Sequence, residues 1–110
     1  MPESEILLRI QALVARGEYV VSNHGYDELA ADGIFASEII DGVMAASVVE
    51  EYRQASKGPS ALVLQKDDAG VPVHVVWGIP KGFDAPAVLV TAYRPDPDRW
   101  SADFTKRRKR

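Results

Sequence analysis

Residues 61–77 read Ala61-Leu-Val-Leu-Gln-Lys-Asp-Asp-Ala-Gly-Val-Pro-Val-His-Val-Val-Trp77, and they decide the fold. Two apolar runs of strand length flank Asp67-Asp-Ala-Gly70, a short polar turn closed by glycine, which is the pattern of a β-hairpin. Side chains alternate between the two faces of a strand. Val73, Val75 and Trp77 therefore share one face, and His74 and Val76 share the other.

Working outward, the same period of 2 extends from Ser47 onward and predicts four strands: Val48–Arg53, Ala61–Lys66, Val71–Trp77 and Ala87–Arg94. Lys57-Gly-Pro-Ser60 separates the first two, and the Pro/Gly-rich loop Ile79–Pro86 separates the last two. Pro95 and Pro97 stop the final strand, because proline cannot donate to a ladder. Before Ser47 the period is 3.6. Ile6, Leu7, Ile10, Leu13 and Val14 form one apolar stripe of a helix over Glu5–Arg16, with Ser4 as N-cap, Glu3 and Glu5 at its positive end and Gly17 just past its end. Tyr19–Ser22 is a short extended piece. A second helix follows at about Gly25–Asp32, ended by Gly33. A third is expected at about Ser37–Ala46, weakened by Gly42. Arg99–Lys106 reads as a final short helix with Trp100 and Phe104 folded back on the sheet. The expected architecture is α+β: N-terminal helices on one face of a four-stranded, mainly antiparallel sheet, then a short C-terminal helix and a basic tail. Residues 1–105 form one domain and 106–110 the tail.

Composition bounds the function. With 46% hydrophobic and 26% charged residues, the 110-residue chain can build one packed core. It contains no cysteine, which excludes disulfides, thiolate metal sites and a cysteine nucleophile. The longest apolar stretches are about half the length of a membrane-spanning helix. The acidic start, Met-Pro-Glu-Ser-Glu, is unlike a signal peptide, so a cytoplasmic location and no membrane partner are expected. The net charge of −3 is unevenly spread: residues 99–110 hold six basic side chains against Asp103 alone. Such a run serves either as a phosphate-binding arm or as a solvated tail that grips an acidic surface.

No nucleotide-binding glycine motif, zinc-helix motif or nucleophile elbow occurs. The chemistry-bearing residues are therefore sparse. His24 opens the second helix, with Asp27 and Glu28 at i+3 and i+4. It serves either as a metal ligand, if a carboxylate and His74 converge on it, or as a helix-capping side chain. No metal and no cofactor are expected. His74 is either a group on an open sheet face or a core histidine with a partner. Tyr93 and Arg94 end the last strand, where they offer a phenol for proton transfer and a guanidinium for phosphate. Alternatively, the phenol stays wet at the core's edge and Arg94 pairs with Asp96 or Asp98. Arg53, Lys57 and Lys66 can join Arg94 in a basic patch. Metal-free RNA cleavage requires a base for the 2′-hydroxyl, an acid for the leaving 5′-oxygen and cations on the phosphorane. These residue types suffice for it.

The segments Val20-Val-Ser-Asn-His24, Gly33-Ile-Phe-Ala-Ser-Glu-Ile39, Val90-Thr-Ala-Tyr93-Arg-Pro, Trp100 and Arg107-Arg108 together resemble a bacterial domain of unknown function over residues 5–108. That family is similar to the RelE/ParE-like toxins and the MqsR-type messenger-RNA interferases. The resemblance implies a type II toxin-like, metal-independent endoribonuclease of a toxin–antitoxin pair. Its partners would be a zinc-finger antitoxin and RNA or the ribosome. His74, Tyr93, Arg94 and His24 would be catalytic, and Lys57, Arg53, Lys106, Arg107 and Arg108 would bind RNA. The chain departs from the family pattern at Glu28, Ala31 and Asp32, where arginines are common, and at Phe35, where a capping serine is usual. The alternative expectation is a non-catalytic module of the same fold that binds a protein or nucleic acid.

Overall fold

A computed structural model describes residues 4–108. The elements run α1 (Glu5–Ala15), β1 (Tyr19–Val21), α2 (Asn23–Ala31), α3 (Ala36–Gly42) with a 3-10 turn at Val43–Ala45, β2 (Ser47–Tyr52), β3 (Ser60–Lys66), β4 (Pro72–Gly78) and β5 (Ala87–Tyr93). The fold is α+β, and the four strands read from the alternating pattern are all present within a residue or so of their expected bounds. The sheet is nonetheless five-stranded and mixed, in the order β1-β5-β4-β3-β2. The additional strand is the extended piece at Tyr19, which lies parallel to β5 with Val20 opposite Val88. Three residues are too few to display a period. The partner of β1 is also remote in the chain, so no local pattern announces the pairing.

The helices form because their caps and stripes agree. Ser4 Oγ accepts from Leu7 N–H to cap α1. Glu18 N–H donates to Leu13 O and Gly17 N–H to Val14 O, with Gly17 at φ +76, a Schellman closure. The apolar stripe of α1 is buried at Ile6, Leu7, Ile10 and Leu13, against Val63, Val73, Val75 and Trp77 of the sheet within one core cluster. Each such side chain contributes about 1.5–3 kcal/mol on burial.

Gly42 ends α3 rather than merely weakening it. A Cβ there would lie 3.3 Å from Gln65 Nε2 and 3.4 Å from Lys66 O, so glycine lets the helix end approach β3. Gln65 is itself buried. Its Nε2 donates to Ile39 O at 2.8 Å, and its Oε1 accepts from Trp77 Nε1 at 2.9 Å, which ties α3 to two strands through one side chain.

The C-terminal helix expected at Arg99–Lys106 is absent. Residues 99–108 form instead a hairpin-like turn with a Trp100–Arg107 bridge, in which Ser101 N–H donates to Lys106 O and Arg108 N–H to Arg99 O. The local chemistry explains it. The Asp103 carboxylate accepts from Ser101 Oγ and from the Thr105 hydroxyl and N–H. These bonds hold its pKa at about 2 and satisfy the loop as a helix would not. Phe104 is left-handed at φ 62. Trp100 does fold back onto the sheet, on the face opposite the helices. Lys106, Arg107 and Arg108 belong to this hairpin; Lys109 and Arg110, like Glu3, lie outside the described residues.

Two substitutions test this account. Gln65→Leu leaves the Trp77 N–H buried without a partner, at about 1–3 kcal/mol, and removes the side-chain donor to the Ile39 carbonyl, so the urea midpoint is expected to fall. Phe35, at the N-cap of α3, makes no side-chain cap bond and is 73% exposed, although Glu38 Oε2 already accepts from its N–H. Phe35→Ser would complete a capping box and is expected to raise stability by about 0.5–2 kcal/mol in the same titration.

Candidate functional site

The second face of the sheet is where the candidate residues gather. Because β3 and β4 pair antiparallel with Leu62 opposite Val76 and Leu64 opposite His74, and because His74 lies opposite Tyr93 on β5, these side chains share the face turned away from the helices. It has two halves.

At the His74 end the C-terminal hairpin closes the face. His74 is fully buried. Its Nε2 lies 2.8 Å from the Phe104 carbonyl oxygen and its Nδ1 lies 3.2 Å from Tyr93 Oη. A carbonyl only accepts, so Nε2 carries the proton and Nδ1 accepts from the phenol. The Trp100 ring stands edge-on to the imidazole at 4.4 Å, and Tyr93 is edge-on at 5.4 Å. The Arg107 guanidinium lies 4.7 Å over the Trp100 ring and grips Glu50 through two bonds of 2.9 and 3.1 Å. Tyr52 Oη donates to the same carboxylate at 2.6 Å. The electrostatics follow from this packing. Arg107, then Tyr52, hold the Glu50 pKa below its ordinary value, and burial followed by Glu50 pushes Tyr52 up to about 12. Burial lowers the His74 pKa against the bond to Phe104 and raises that of Tyr93.

The sequence-selected residues thus divide. The structure brings together His74, Tyr93 and Arg107, and places Arg94 at the adjoining end of β5. Arg94 Nη2 pairs with Asp67 Oδ2 at 2.8 Å, not with Asp96 or Asp98, while its N–H donates to Asp32. Val71 N–H, and after it Arg94, keep Asp67 below the ordinary carboxylate range. His24 is apart from this cluster, exposed on the first turn of α2, with Nε2 3.7 Å from Glu28 Oε1. Arg53 is exposed and paired to Glu51. Arg108 Nε donates to Pro97 O, and Lys106 is exposed. Sequence reasoning missed Glu50 and Tyr52. Their i, i+2 spacing on a strand was the available signal, obscured by the bulge between Val48 and Glu50. Among the described residues no three His, Asp or Glu side chains gather where a metal ion could be held.

The other half of the face is open. There Gly78 lies between Ser60 and Val88 and helps form the floor of a pocket of about 360 Å³. Val76, Val88 and Val90 line it, Ile79 and Pro80 close one side, Ser22 lies opposite and Lys57 stands at the rim. Gly58, at φ +129, makes that side possible. A Cβ there would fall 2.0 Å from Ile79 O, so only glycine lets the β2–β3 loop bond to the β4–β5 loop through Ile79 N–H to Pro59 O and Lys81 N–H to Lys57 O.

Compared with known protein families, residues 21–94 match one described as a domain of unknown function, DUF4258. The chain belongs to the DUF4258 family. No curated protein and no solved structure matches it. The DUF4258 span contains His24, His74, Tyr93 and Arg94 and every residue lining the pocket, whereas α1 and the hairpin at Trp100–Arg107 fall outside it. No helix among the described residues is long and apolar enough to cross a membrane.

The buried imidazole makes a pH prediction. Folded His74 resists a proton that its unfolded counterpart accepts near its ordinary pKa of about 6.5. The unfolded state therefore binds more protons as the pH falls, and stability falls with it. The urea midpoint is expected to decline between pH 7 and 5 in the wild type and to stay nearly flat in His74→Gln. A parallel decline in both proteins would exclude His74 as the source. The drop below pH 4.5 belongs to Glu50, Asp67 and Asp103, whose pKa values the fold depresses.

Proposed function

We propose that this chain is a non-catalytic binding module whose partner is a protein engaged through the second face of its sheet. One observation carries the reading. Of the acid–base pair that RNA cleavage would use, His74 is buried under the C-terminal hairpin and Tyr93 is half-buried at its edge, while the adjoining half of the same face is open. His74 has both ring nitrogens engaged within the chain. Three of the cations expected to bind phosphate meet carboxylates of the chain itself: Arg94 with Asp67, Arg107 with Glu50 and Arg53 with Glu51. A phosphate would have to displace each of these.

The second reading is the toxin-like, metal-independent endoribonuclease, related to the RelE/ParE-like toxins and partnered by a zinc-finger antitoxin. The approach of His74 Nδ1 and Tyr93 Oη to 3.2 Å favours it. In that reading the hairpin lifts, Tyr93 protonates the leaving oxygen, His74 acts as base, and Arg94 and Lys57 bind the phosphate.

The two readings separate in one experiment. The full chain is induced in a bacterial host while growth and transcript ends are followed, and the purified chain is incubated with the same RNA in EDTA. Intact RNA and unchanged growth are expected from the wild type. Discrete new ends that disappear in Tyr93→Phe would establish the nuclease instead.

A further inference from the structure

We propose that the pocket over Gly78 receives an apolar side chain of a partner polypeptide, and that an acidic residue next to that side chain meets Lys57. This rests on the binding-module reading and gives its partner a chemistry.

Three observations converge. First, the pocket has side-chain dimensions and an apolar interior. About 360 Å³ is within the range of pockets that bury a bound group, and its strand-borne walls are Val76, Val88 and Val90. Second, the apolar surface continues past the pocket. Val90 is 38% exposed, and Val20, opposite Val88 on the edge strand β1, is 48% exposed. A strip from the pocket to the sheet edge is longer than a small molecule needs and suits an extended segment. Third, the rim carries complementary charge. Lys57 and Lys81 are held together by a backbone bond of 2.9 Å. Both are exposed, and neither has a carboxylate within salt-bridge distance among the described residues. Asp84, in the same loop as Lys81, is exposed as well. Arg53, Arg94 and Arg107 already have carboxylate partners, whereas Lys57, at the rim of the pocket itself, offers an incoming carboxylate a cation that has none among the described residues.

A nucleic acid fits the same pocket less well. No aromatic side chain lines it, and single-stranded nucleic acid is held chiefly by base stacking on aromatic rings along a basic groove. The loops that build the rim are joined backbone to backbone at Gly58, so the pocket is preformed and little ordering is required on binding.

The test is amide chemical-shift mapping on the 15N-labelled full chain with four probes: N-acetyl-Asp-Trp-amide, N-acetyl-Lys-Trp-amide, indole-3-acetate and uridine monophosphate. The Asp-Trp peptide is expected to move the amides of Gly58, Ser60, Val76, Gly78 and Val88, with a Kd at least about fivefold below that of the Lys-Trp peptide. Lys57→Glu should invert that order. Val90→Glu, an exposed change that keeps the fold by the same spectra, should weaken the Asp-Trp peptide by a similar factor. The proposal is overturned if neither peptide moves those amides or if both bind alike. It is also overturned if indole-3-acetate binds where the peptides do not, which marks a small-molecule site, or if the nucleotide binds more tightly than either peptide. RNA cleavage by the wild type would overturn the binding-module reading and leave these spectra unchanged, so the two failures are distinguishable.

Discussion

A β-sheet has two faces, and the helices of this chain are enough for one. On the helix side, Val63, Val73, Val75, Trp77, Leu89 and Ala92 meet α1, α2 and α3 in a single core. On the far side, Leu62, Leu64, Val76 and Val88 alternate with them and also require cover, because exposed apolar area costs about 25 cal/mol per Å². The chain covers half of that face with its own C-terminal segment. Trp100 lies against His74, Arg107 reaches across to Glu50, and the Phe104 carbonyl accepts a hydrogen bond from the imidazole Nε2–H. The buried histidine, the depressed Glu50, the raised Tyr52 and the open pocket beside them all follow from this partial cover.

The alternating residues made most of the sheet legible, and the 3.6-residue stripe of α1 did the same for the first helix. Three features were hidden for separate reasons. β1 is too short to show a period and pairs with a strand far along the chain. The bulge at Val49 broke the alternation that would have set Glu50 and Tyr52 beside His74. The segment after Pro97 carried a helical spacing of Trp100 and Phe104, yet Asp103 and its hydroxyl partners turned it into a hairpin. The family could be recognised from dispersed residues, and its match stops at Arg94, before the hairpin that alters the site's meaning. For the site itself, the pairing of His74 with Tyr93 could be read from two strands each offering one polar residue. Whether that pair is open could not, because the answer lies in a segment some seven to fourteen residues further on.

Charge tells the same story in another form. The chain is acidic overall, and the carboxylates of Asp67, Glu50 and Glu51 are spent on Arg94, Arg107 and Arg53. The pairs of Arg53 and Arg107 are largely exposed and add little to stability, whereas the Asp67 carboxylate that meets Arg94 is nearly buried. Their larger consequence is occupancy. A phosphate approaching Arg107 or Arg94 competes with a carboxylate already in place, and the Glu50 carboxylate close by repels it.

Magnitudes then weigh the two halves of the face against one another. Lifting the hairpin returns Trp100 to water, which for a large apolar side chain costs on the order of 3 kcal/mol. It also breaks the His74–Phe104 bond, worth about 1 kcal/mol, while the freed segment regains some conformational entropy. The closed form is the one the structure holds, and the open fraction falls tenfold for each 1.4 kcal/mol by which the closed form is favoured. Any ligand that needs the His74 end exposed binds with its apparent affinity reduced by that fraction. The pocket over Gly78 carries no such penalty: its walls are fixed by the loop contact at Gly58, and its mouth is already open. Under the proposed binding role, a partner that enters at Lys57 therefore avoids the opening step that entry at His74 would require.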